Sequence, residues 1–391
     1  MNRPELIAWL RETDEARLAD LWQRADQTRQ QYVGGEVHLR GLIELSNYCV
    51  RLCAYCGLRA GNDKLDRYRM SAEEIIACVY QAVGYGYGTV VLQSGEDPGI
   101  TADWMSALIR RIKAETPLAV TLSLGERDAD ELAAWRRAGA DRYLLRFETS
   151  NRRLYQRIHP PRPGARSDRI ALLATLRQLG YEVGSGVMIG IPGQTYEDLV
   201  DDIRLFARLD LDMIGVGPYL VHPDTPLADR NAWPVISDEE QVPNDELTTY
   251  KVIALARLVC ARANIPATTA LATLNGATGR ELGLVRGANV IMPNLTPAPY
   301  RVLYEIYPQK ACTGETAENC HGCLQARIRA LGREPGRGRG DSGNYAVRRT
   351  IADVPSAAKL HVGAAVELPP QQNDNIDRLA ADGTSARSRI D

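Results

Sequence analysis

Long hydrophobic runs and an excess of charge of one sign are both missing from this sequence. No stretch of about 18 apolar residues occurs in the chain, so no membrane-spanning helix is expected. Charged residues recur throughout positions 1–22, which is untypical of a secretory signal peptide. The net charge of −2 gives no indication of a polyanionic partner such as nucleic acid. Together these absences predict a cytoplasmic protein.

A fourth metal ligand is missing where three cysteines lie close together. Cys49, Cys53 and Cys56 have the spacing Cys-x3-Cys-x2-Cys, and the nearest preceding histidine, His38, begins a predicted strand. In a reducing compartment such a cluster indicates metal ligands or reactive thiols rather than disulfides. Thiolates suit both zinc and iron–sulfur centres, but a structural zinc site closes with four ligands. The motif therefore favours an iron–sulfur cluster with one open iron, with zinc as the alternative.

Alternating strands and helices occupy most of the chain. After a helical extension over 1–34, apolar or β-branched runs predict eight strands, and most segments between them have helical periodicity. The predicted strands lie at 39–45, 88–94, 118–124, 141–147, 182–189, 211–217, 266–271 and 288–292. This pattern predicts an α/β protein, a (β/α)8 TIM barrel over 35–345. An open doubly wound sheet is the alternative, but no glycine-rich phosphate turn follows the first strand.

Two segments near the C-terminus carry no predicted chemistry. From residue 346 the chain becomes polar and loses periodicity, which predicts a largely disordered tail over 346–391. The Gly/Arg-rich stretch over 332–343 is interpreted as a loop without a function. Its Arg339-Gly340-Asp341 triplet is interpreted as a chance occurrence.

Polar residues follow the predicted strands at their C-terminal ends, which a barrel gathers around one mouth. The second strand ends in Ser-Gly-Glu-Asp, where Gly95 lets the backbone approach a ligand and Glu96 can pair with a cationic amine. On the fourth strand Arg142, Arg146 and Glu148 alternate, so they point to one face. Charges inside a barrel need a partner or a ligand, and an internal ion pair is the competing interpretation for Arg142.

The cysteine motif follows the first strand and has the aromatic Tyr55 before its last cysteine, and it resembles the signature of the radical S-adenosylmethionine (SAM) enzymes. Segments in the same order along 35–345 resemble the HydE family of FeFe-hydrogenase maturases: CAYCGLRAGN, RYRMSAEEI, VVLQSGEDP, DRYLLRFET, GIPGQTYEDLVDD and TPAPYRVLYEIYP. Methylornithine synthase and biotin synthase are more distant relatives. One departure is Phe147, where HydE commonly has histidine; strand alternation predicts that Phe147 faces the helix layer.

This resemblance implies a 4Fe–4S cluster on the three cysteines, with SAM on the open iron. Reductive cleavage of SAM would give a 5′-deoxyadenosyl radical that attacks a sulfur-containing, cysteine-ligated iron precursor of the hydrogenase cofactor. The resemblance also implies a reductase or ferredoxin-type electron donor and companion hydrogenase maturases as partners. Two alternatives stay open: a radical SAM amino-acid mutase of the methylornithine synthase type, and a non-catalytic iron–sulfur carrier or scaffold.

Further site residues follow from the same resemblance. Tyr55 is expected at the adenine, Glu96 or its neighbouring carbonyls at the methionine amino group, Glu148 at the ribose and Arg169 at the carboxylate of SAM. The expected cofactor contacts are Tyr55, Gln93, Gly95, Glu96, Asp97, Glu148, Arg169 and Met188. The expected substrate contacts are Arg146, Thr268, Thr269, Met292, Tyr304 and Tyr307. Barrel packing and helix capping are the alternatives for the threonines, and core packing is the alternative for the tyrosines.

A second cysteine cluster, with the pattern Cys-x7-Cys-His-Gly-Cys, follows the last predicted strand. By resemblance, Cys312, Cys320 and Cys323 carry an accessory iron–sulfur cluster, a second cofactor outside the core chemistry. Zinc, or no metal at all, are the alternatives.

Overall fold

Eight parallel strands run through the computed structural model, which describes residues 1–161, 167–229, 233 and 236–352. They are β1 (Glu36–Ser46), β2 (Thr89–Ser94), β3 (Ala119–Ser123), β4 (Arg142–Leu144), β5 (Glu182–Ile189), β6 (Met213–Pro218), β7 (Val290–Ile291) and β8 (Glu334–Pro335). Their order is β6-β5-β4-β3-β2-β1-β7, and β8 pairs with the start of β1. The longer strands are buried nearly throughout, as expected where helices cover a parallel sheet. The predicted α/β barrel class is confirmed.

A short extended segment over 264–267 closes the sheet between β6 and β7. Isolated bridges join Asn264 to β6 and Pro266 to β7. The strand predicted over 266–271 is wrong, because Thr269–Leu274 form a helix. Proline has no N–H to continue a ladder, and the chain turns into the helix three residues later.

The helices of the described chain surround this sheet. They are α1 (Arg3–Arg11), α2 (Glu15–Val33), α3 (Ala72–Gly84), α4 (Ala102–Glu115), α5 (Ala129–Ala138), α6 (Arg152–Ile158), α7 (Arg169–Gln178), α8 (Tyr196–Arg208), α9 (Glu246–Val259), α10 (Thr269–Leu274), α11 (Gly279–Leu284), α12 (Ala298–Arg301), α13 (Ala317–Ala330) and α14 (Gly343–Ala352). Capping boxes at Ser71 and Thr195 start α3 and α8. The N-terminal pair packs on α8 and α9 through buried leucines such as Leu6 and Leu21.

The segment over 336–342, called the floor loop below, lies across the N-terminal end of the barrel. The carbonyl of Gly340 accepts a hydrogen bond from the buried Arg40 at 2.9 Å. The backbone N–H of Ser342 donates to the buried Glu182 at 2.8 Å. This stretch, interpreted as a loop without a function, therefore has a structural role, because its backbone satisfies charged groups inside the barrel.

Arg142 belongs to the floor of the barrel. Its guanidinium pairs with Glu182 and Asp341 and donates to Thr89 Oγ1 at 2.9 Å. The competing interpretation of Arg142 as part of an internal ion pair is thus confirmed. Asp341, the last residue of the supposed chance triplet, is one of its partners.

Regular structure continues past the point where the sequence predicts a disordered tail. Helix α14 extends through residue 352, and Asn344 Nδ2 donates to Leu211 O at 3.0 Å. Arg348, one helical turn later, forms ion pairs with Asp210 and Asp212. The prediction that the disordered tail begins at 346 is therefore wrong for 346–352, which are helical. Asn344 and Arg348, four residues apart on one face of this helix, bind groups of the barrel.

The remainder of the predicted tail, 353–391, lies outside the described residues. Among the helices that are described, none is long and apolar enough to cross a membrane.

Candidate active site

The cysteine loop, residues 47–58, begins where β1 ends and packs against the end of β2. The backbone N–H of Glu96 points at Cys49 Sγ, with N and S 3.4 Å apart. Gly95 is required here, because a Cβ atom on it would lie 2.2 Å from Tyr48 O. The close approach predicted at Gly95 is therefore made to the cysteine loop itself.

Cys49, Cys53 and Cys56 are free thiols that are buried or half-buried. Burial raises the pKa of each, that of Cys53 to about 12, so a metal that binds them has to displace their protons. Among the described residues, three side chains that could bind one metal ion, with ligand atoms within 4.8 Å of one another, are found in the second cysteine cluster and not in this motif. One tetrahedral ion with bonds of about 2.3 Å would hold its sulfurs about 3.8 Å apart. The three thiols of the motif fit a thiolate-bound metal centre, as an iron–sulfur cluster or as zinc.

His159 lies beside the cysteine loop, and the sequence analysis missed it. Its Nδ1 is 3.3 Å from Cys53 Sγ, and its Nε2 is 2.8 Å from the hydroxyl of Tyr55. Burial lowers the pKa of His159 well below its ordinary value. A signal was present, since His159 ends the helix that follows β4 and the loops after barrel strands meet at one mouth.

A cavity of about 320 Å³ occupies the inside of the barrel next to the cysteine loop. Its wall contains residues predicted for the cluster, for SAM and for the substrate. These are Tyr55, Cys56, Gln93, Arg146, Glu148, Met188, Thr268, Thr269, Met292 and Tyr307. The fold thus brings together groups that the sequence spreads over more than 250 positions.

Glu148 combines an unusual backbone with an open acceptor. Its φ of +64° lies in the left-handed region, which is rare for residues other than glycine and frequent at functional sites. Its Oε2 is buried and has no hydrogen-bond partner among the described residues, although Arg146 Nη2 is 3.1 Å away as an ion pair. A buried carboxylate oxygen of this kind fits a ligand hydroxyl group.

Phe147 lies on the opposite side of this strand segment. Its ring packs against Phe206 of α8, with the ring centroids 5.9 Å apart. The predicted orientation toward the helix layer is therefore confirmed, and Phe147 is not among the residues that line the cavity.

Glu96 and Asp97 do not line the cavity and instead hold neighbouring loops. Glu96 Oε2 accepts a hydrogen bond from Glu126 N at 3.0 Å, and its Oε1 lies 3.8 Å from Arg51. Both oxygens of Asp97 accept from Arg69, at 2.7 and 2.8 Å. Their predicted contacts with SAM stay predictions.

Arg169 and Tyr304 also lie behind the cavity wall. Arg169 donates to Glu126 at 2.9 Å and to the carbonyl of Arg146 at 2.7 Å. The hydroxyl of Tyr304 accepts from Gln93 Nε2 at 3.3 Å, so this tyrosine supports a lining residue without lining the cavity itself. Glu126 was not predicted as a site residue, although it follows the third strand at the mouth.

Positive charge exceeds negative charge in the cavity wall. Lys310 forms an ion pair with Glu44 at 2.8 Å, and the sequence analysis found neither residue. Arg40, Arg146 and Arg280 also line the wall, against Glu148 as the remaining acid. Burial lowers the pKa of Arg40 to about 9. A buried wall with more cations than anions favours a negatively charged ligand.

The hydroxyl of Thr268 is another group without a partner. Its Oγ1 is buried and has no hydrogen bond within the described chain, and the residue lines the cavity. Capping of α10 does not use it, since no side-chain cap bond forms there. Thr268 is therefore the N-cap residue of α10 by its backbone alone, and its hydroxyl is left open to a ligand.

The second cysteine cluster lines a second pocket on α13 and the loop before it, and Cys312 and Arg280 line both this pocket and the barrel cavity. Cys312, Glu315 and Cys320 bring ligand atoms within 4.8 Å of one another, whereas Cys323 is exposed at the edge of the pocket. The hydrogen bond with Cys320, together with the nearby Arg280, lowers the pKa of Cys312 to about 6. These donors fit a metal, and Glu315 is a possible ligand that the cysteine pattern did not predict.

Comparison with known proteins identifies the family of the chain. A family model described as the radical SAM superfamily matches residues 43–206. The FeFe-hydrogenase maturase subunit HydE of Thermotoga maritima is 48% identical over 317 residues, which is 81% of this chain and 87% of that protein. The 3-methylornithine synthase of Methanosarcina acetivorans is 29% identical, over 74% of this chain and 79% of that protein.

A solved structure shows the same fold. The crystal structure of methylornithine synthase (PylB) superposes with a TM-score of 0.72 and 25% sequence identity, and the match covers 90% of this chain and 96% of that one. The identity to HydE extends along most of both chains, beyond the segment that carries the cysteine motif. The chain therefore belongs to the radical SAM superfamily and, within it, to the family of the FeFe-hydrogenase maturase HydE.

Proposed function

We propose that this enzyme acts in assembly of the FeFe-hydrogenase cofactor, using SAM to attack a sulfur-containing, cysteine-ligated iron precursor. The observation that carries the proposal is the cavity, which joins the cysteine loop and Glu148 to a wall with excess positive charge. The 48% identity to a HydE maturase supports the same substrate class.

The cofactors of this superfamily are a 4Fe–4S cluster and SAM, and the proposed cluster ligands are Cys49, Cys53 and Cys56. When both are bound, they supply one-electron cleavage of SAM to methionine and a 5′-deoxyadenosyl radical. The chain itself contributes a buried loop with three thiols and no fourth protein ligand in its sequence motif. That leaves one coordination position for SAM.

The chain's own residues bind and orient the nucleoside of SAM at the mouth of the barrel. Glu148 Oε2, which has no hydrogen bond to the described protein, accepts from a ribose hydroxyl. The ring of Tyr55, on the cavity wall, packs against the adenine. Arg169 and Glu126 fix the backbone around Arg146 and thereby keep Glu148 in place.

The far wall of the cavity binds the substrate. Arg280 and Arg146 attract a negatively charged iron complex or carboxylate, and Thr268 Oγ1 donates a hydrogen bond to it. Enclosure within the barrel excludes water from a reactive radical and keeps it from side reactions.

The partners of this reaction follow from its chemistry. A ferredoxin-type donor or reductase supplies the electron, and companion maturases supply the substrate or accept the product.

Eight free thiols suit the reducing interior of a cell, so we assign the enzyme to the cytoplasm. The second cysteine pocket would hold an accessory metal centre outside this reaction.

Anaerobic assay of SAM cleavage tests the proposal. Protein reconstituted with iron and sulfide, then given SAM and dithionite, should release 5′-deoxyadenosine. Cys56→Ala should reduce release to background, because it removes a cluster ligand, whereas Cys320→Ala should retain most of it. Cys78→Ala, at a buried cysteine in α3 outside both clusters, is the control.

Two outcomes would contradict the proposal. A loaded wild-type enzyme that releases no 5′-deoxyadenosine is not a radical SAM enzyme of this type and would favour the carrier alternative. Equal loss in Cys320→Ala and Cys56→Ala would contradict the separation of the two metal sites. Release of 5′-deoxyadenosine with an amino acid, and not with a cysteine–iron complex, would favour the mutase alternative.

A further inference from the structure

His159 is held in a fixed orientation between two parts of the candidate site. Its ring stacks on Tyr155, with centroids 4.9 Å apart and planes 12° from parallel, and meets Tyr55 edge-on at 5.3 Å. The hydroxyl of Tyr155 is in turn 2.8 Å from Ser167 Oγ. The imidazole is 2% exposed, so water does not compete for its nitrogens.

The backbone around His159 is tied to the cysteine loop as well. Ala54 N, within the motif, donates to Ile158 O at 2.8 Å, and His159 N donates to Tyr155 O at 2.8 Å. The histidine and the cysteine loop therefore hold a fixed spacing, although Cys53 and His159 are 106 positions apart in the sequence.

The number of protons at the ring fixes the direction of both hydrogen bonds when a cluster is bound. A neutral imidazole has one N–H, so it donates at one ring nitrogen and accepts at the other. A cysteine bound to iron has no proton, so the 3.3 Å contact with Cys53 requires Nδ1–H as the donor. Nε2 then accepts from the hydroxyl of Tyr55 at 2.8 Å.

This arrangement also affects Glu148. The hydroxyl of Tyr55 is 3.4 Å from Glu148 Oε1 but 2.8 Å from His159. A tyrosine that gives its single proton to His159 does not donate to Glu148. Glu148 Oε1 then stays available to a ribose, in addition to Oε2 beside Arg146.

We propose that His159 is a positioning residue that donates from Nδ1 to the Cys53 sulfur and accepts the Tyr55 hydroxyl at Nε2. The first bond raises the reduction potential of the cluster, because a hydrogen bond donated to a ligating sulfur stabilises the reduced cluster, which carries one more negative charge than the oxidised cluster. The second bond orients Tyr55 toward the nucleoside of SAM. The inference rests on the proposed assignment of Cys53 as a cluster ligand.

Two substitutions separate the two bonds. In His159→Asn the amide nitrogen replaces Nδ1 as the donor to Cys53, and in His159→Gln the amide oxygen replaces Nε2 as the acceptor from Tyr55. The measurements are the cluster midpoint potential, from an EPR-monitored redox titration without SAM, and the Kd of SAM, from binding to the loaded enzyme. Neither measurement depends on turnover.

We expect His159→Asn to keep the wild-type potential and to bind SAM about fivefold more weakly, because the Tyr55 contact is lost. We expect His159→Gln to lower the equilibrium constant for cluster reduction about tenfold, a shift of about 59 mV to more negative potential. Tyr55→Phe should weaken SAM binding without moving the potential. His38→Asn, at a half-buried histidine beside the floor loop, should change neither quantity.

The proposal is overturned if His159→Gln keeps the wild-type potential, or if His159→Asn shifts it as far as His159→Gln does. Where a His159 variant assembles less cluster than the wild type, the iron content of the two variants is compared instead. Wild-type iron content in His159→Asn together with a lower content in His159→Gln supports the proposal, and every other pattern contradicts it. Failure of the proposed function is seen separately, as a loaded wild-type enzyme that does not cleave SAM.

Discussion

At the scale of single residues, Glu148 shows how the site combines local strain with an open binding group. A left-handed backbone costs a residue with a side chain roughly 1–3 kcal/mol and persists only where neighbours enforce it. Here the backbone of Glu148 pairs with Val187 of β5, which holds the strained conformation. The strain directs the carboxylate into the cavity beside Arg146.

Glu148→Gln is expected to weaken SAM binding about tenfold. The substitution keeps the size of the side chain and removes the charge, so a charge-assisted hydrogen bond worth about 1.5 kcal/mol is lost. The measurement is the Kd of SAM for the cluster-loaded enzyme. Glu131→Gln, on the outside of α5, is the matched control, and an unchanged Kd in Glu148→Gln would contradict the ribose assignment.

At the scale of secondary-structure elements, α8 carries a buried acid that the reaction does not use. Asp202 is 0% exposed and accepts a hydrogen bond from Ser150 N at 2.6 Å, which ties α8 to the end of β4. Burial, with smaller contributions from Asp198 and Asp201 on the same helix, raises the pKa of Asp202 to about 8. The folded protein therefore holds this acid neutral at pH 7.

Asp202→Asn is expected to stabilise the fold increasingly as pH rises. The wild-type carboxyl ionises near pH 4 when unfolded and near pH 8 when folded, so its ionisation costs stability between those values. The free energy of unfolding of Asp202→Asn minus that of the wild type should grow from pH 4 to pH 8, by at most about 1.4 kcal/mol per unit, and then level off. Urea titrations of both metal-free proteins across this range provide the measurement. A difference independent of pH would contradict the raised pKa.

At the scale of the whole molecule, the barrel has two ends with different tasks. The C-terminal ends of the strands carry the cysteine loop, and the N-terminal ends are closed by the floor loop. Buried charges at the floor, such as Arg142, are neutralised by acids from two distant parts of the chain, Glu182 and Asp341. The floor is therefore a condition for the stability of the barrel.

Asp341→Ala is expected to lower the free energy of unfolding by about 2 kcal/mol. Loss of one partner of a buried pair costs up to about 3–5 kcal/mol, but Glu182 stays beside Arg142 and reduces the loss. Urea denaturation measures the change. Glu334→Ala, at an exposed acid just before the floor loop, should change stability by less than about 0.5 kcal/mol. Equal effects of the two substitutions would mean that the floor ion pair contributes nothing.

The sequence by itself determined the chemistry and the barrel. The cysteine spacing, strand periodicity and segment order predicted the radical SAM fold, because these signals are local and repeat along the chain. Phe147 was placed correctly for the same reason, because strand alternation depends on neighbouring residues. The close approach at Gly95 is made to Tyr48 of the cysteine loop, 47 positions away, and not to a ligand.

Only the tertiary structure decided which distant groups meet. His159 at the cysteine loop, Lys310 beside Glu44, and Asp341 on the barrel floor are each more than 100 positions from their partners. Nothing local marks such pairs, because their attraction depends on burial that the folded barrel creates. The sequence thus set the reaction class, and the fold set which side chains surround the cluster and hold the barrel closed.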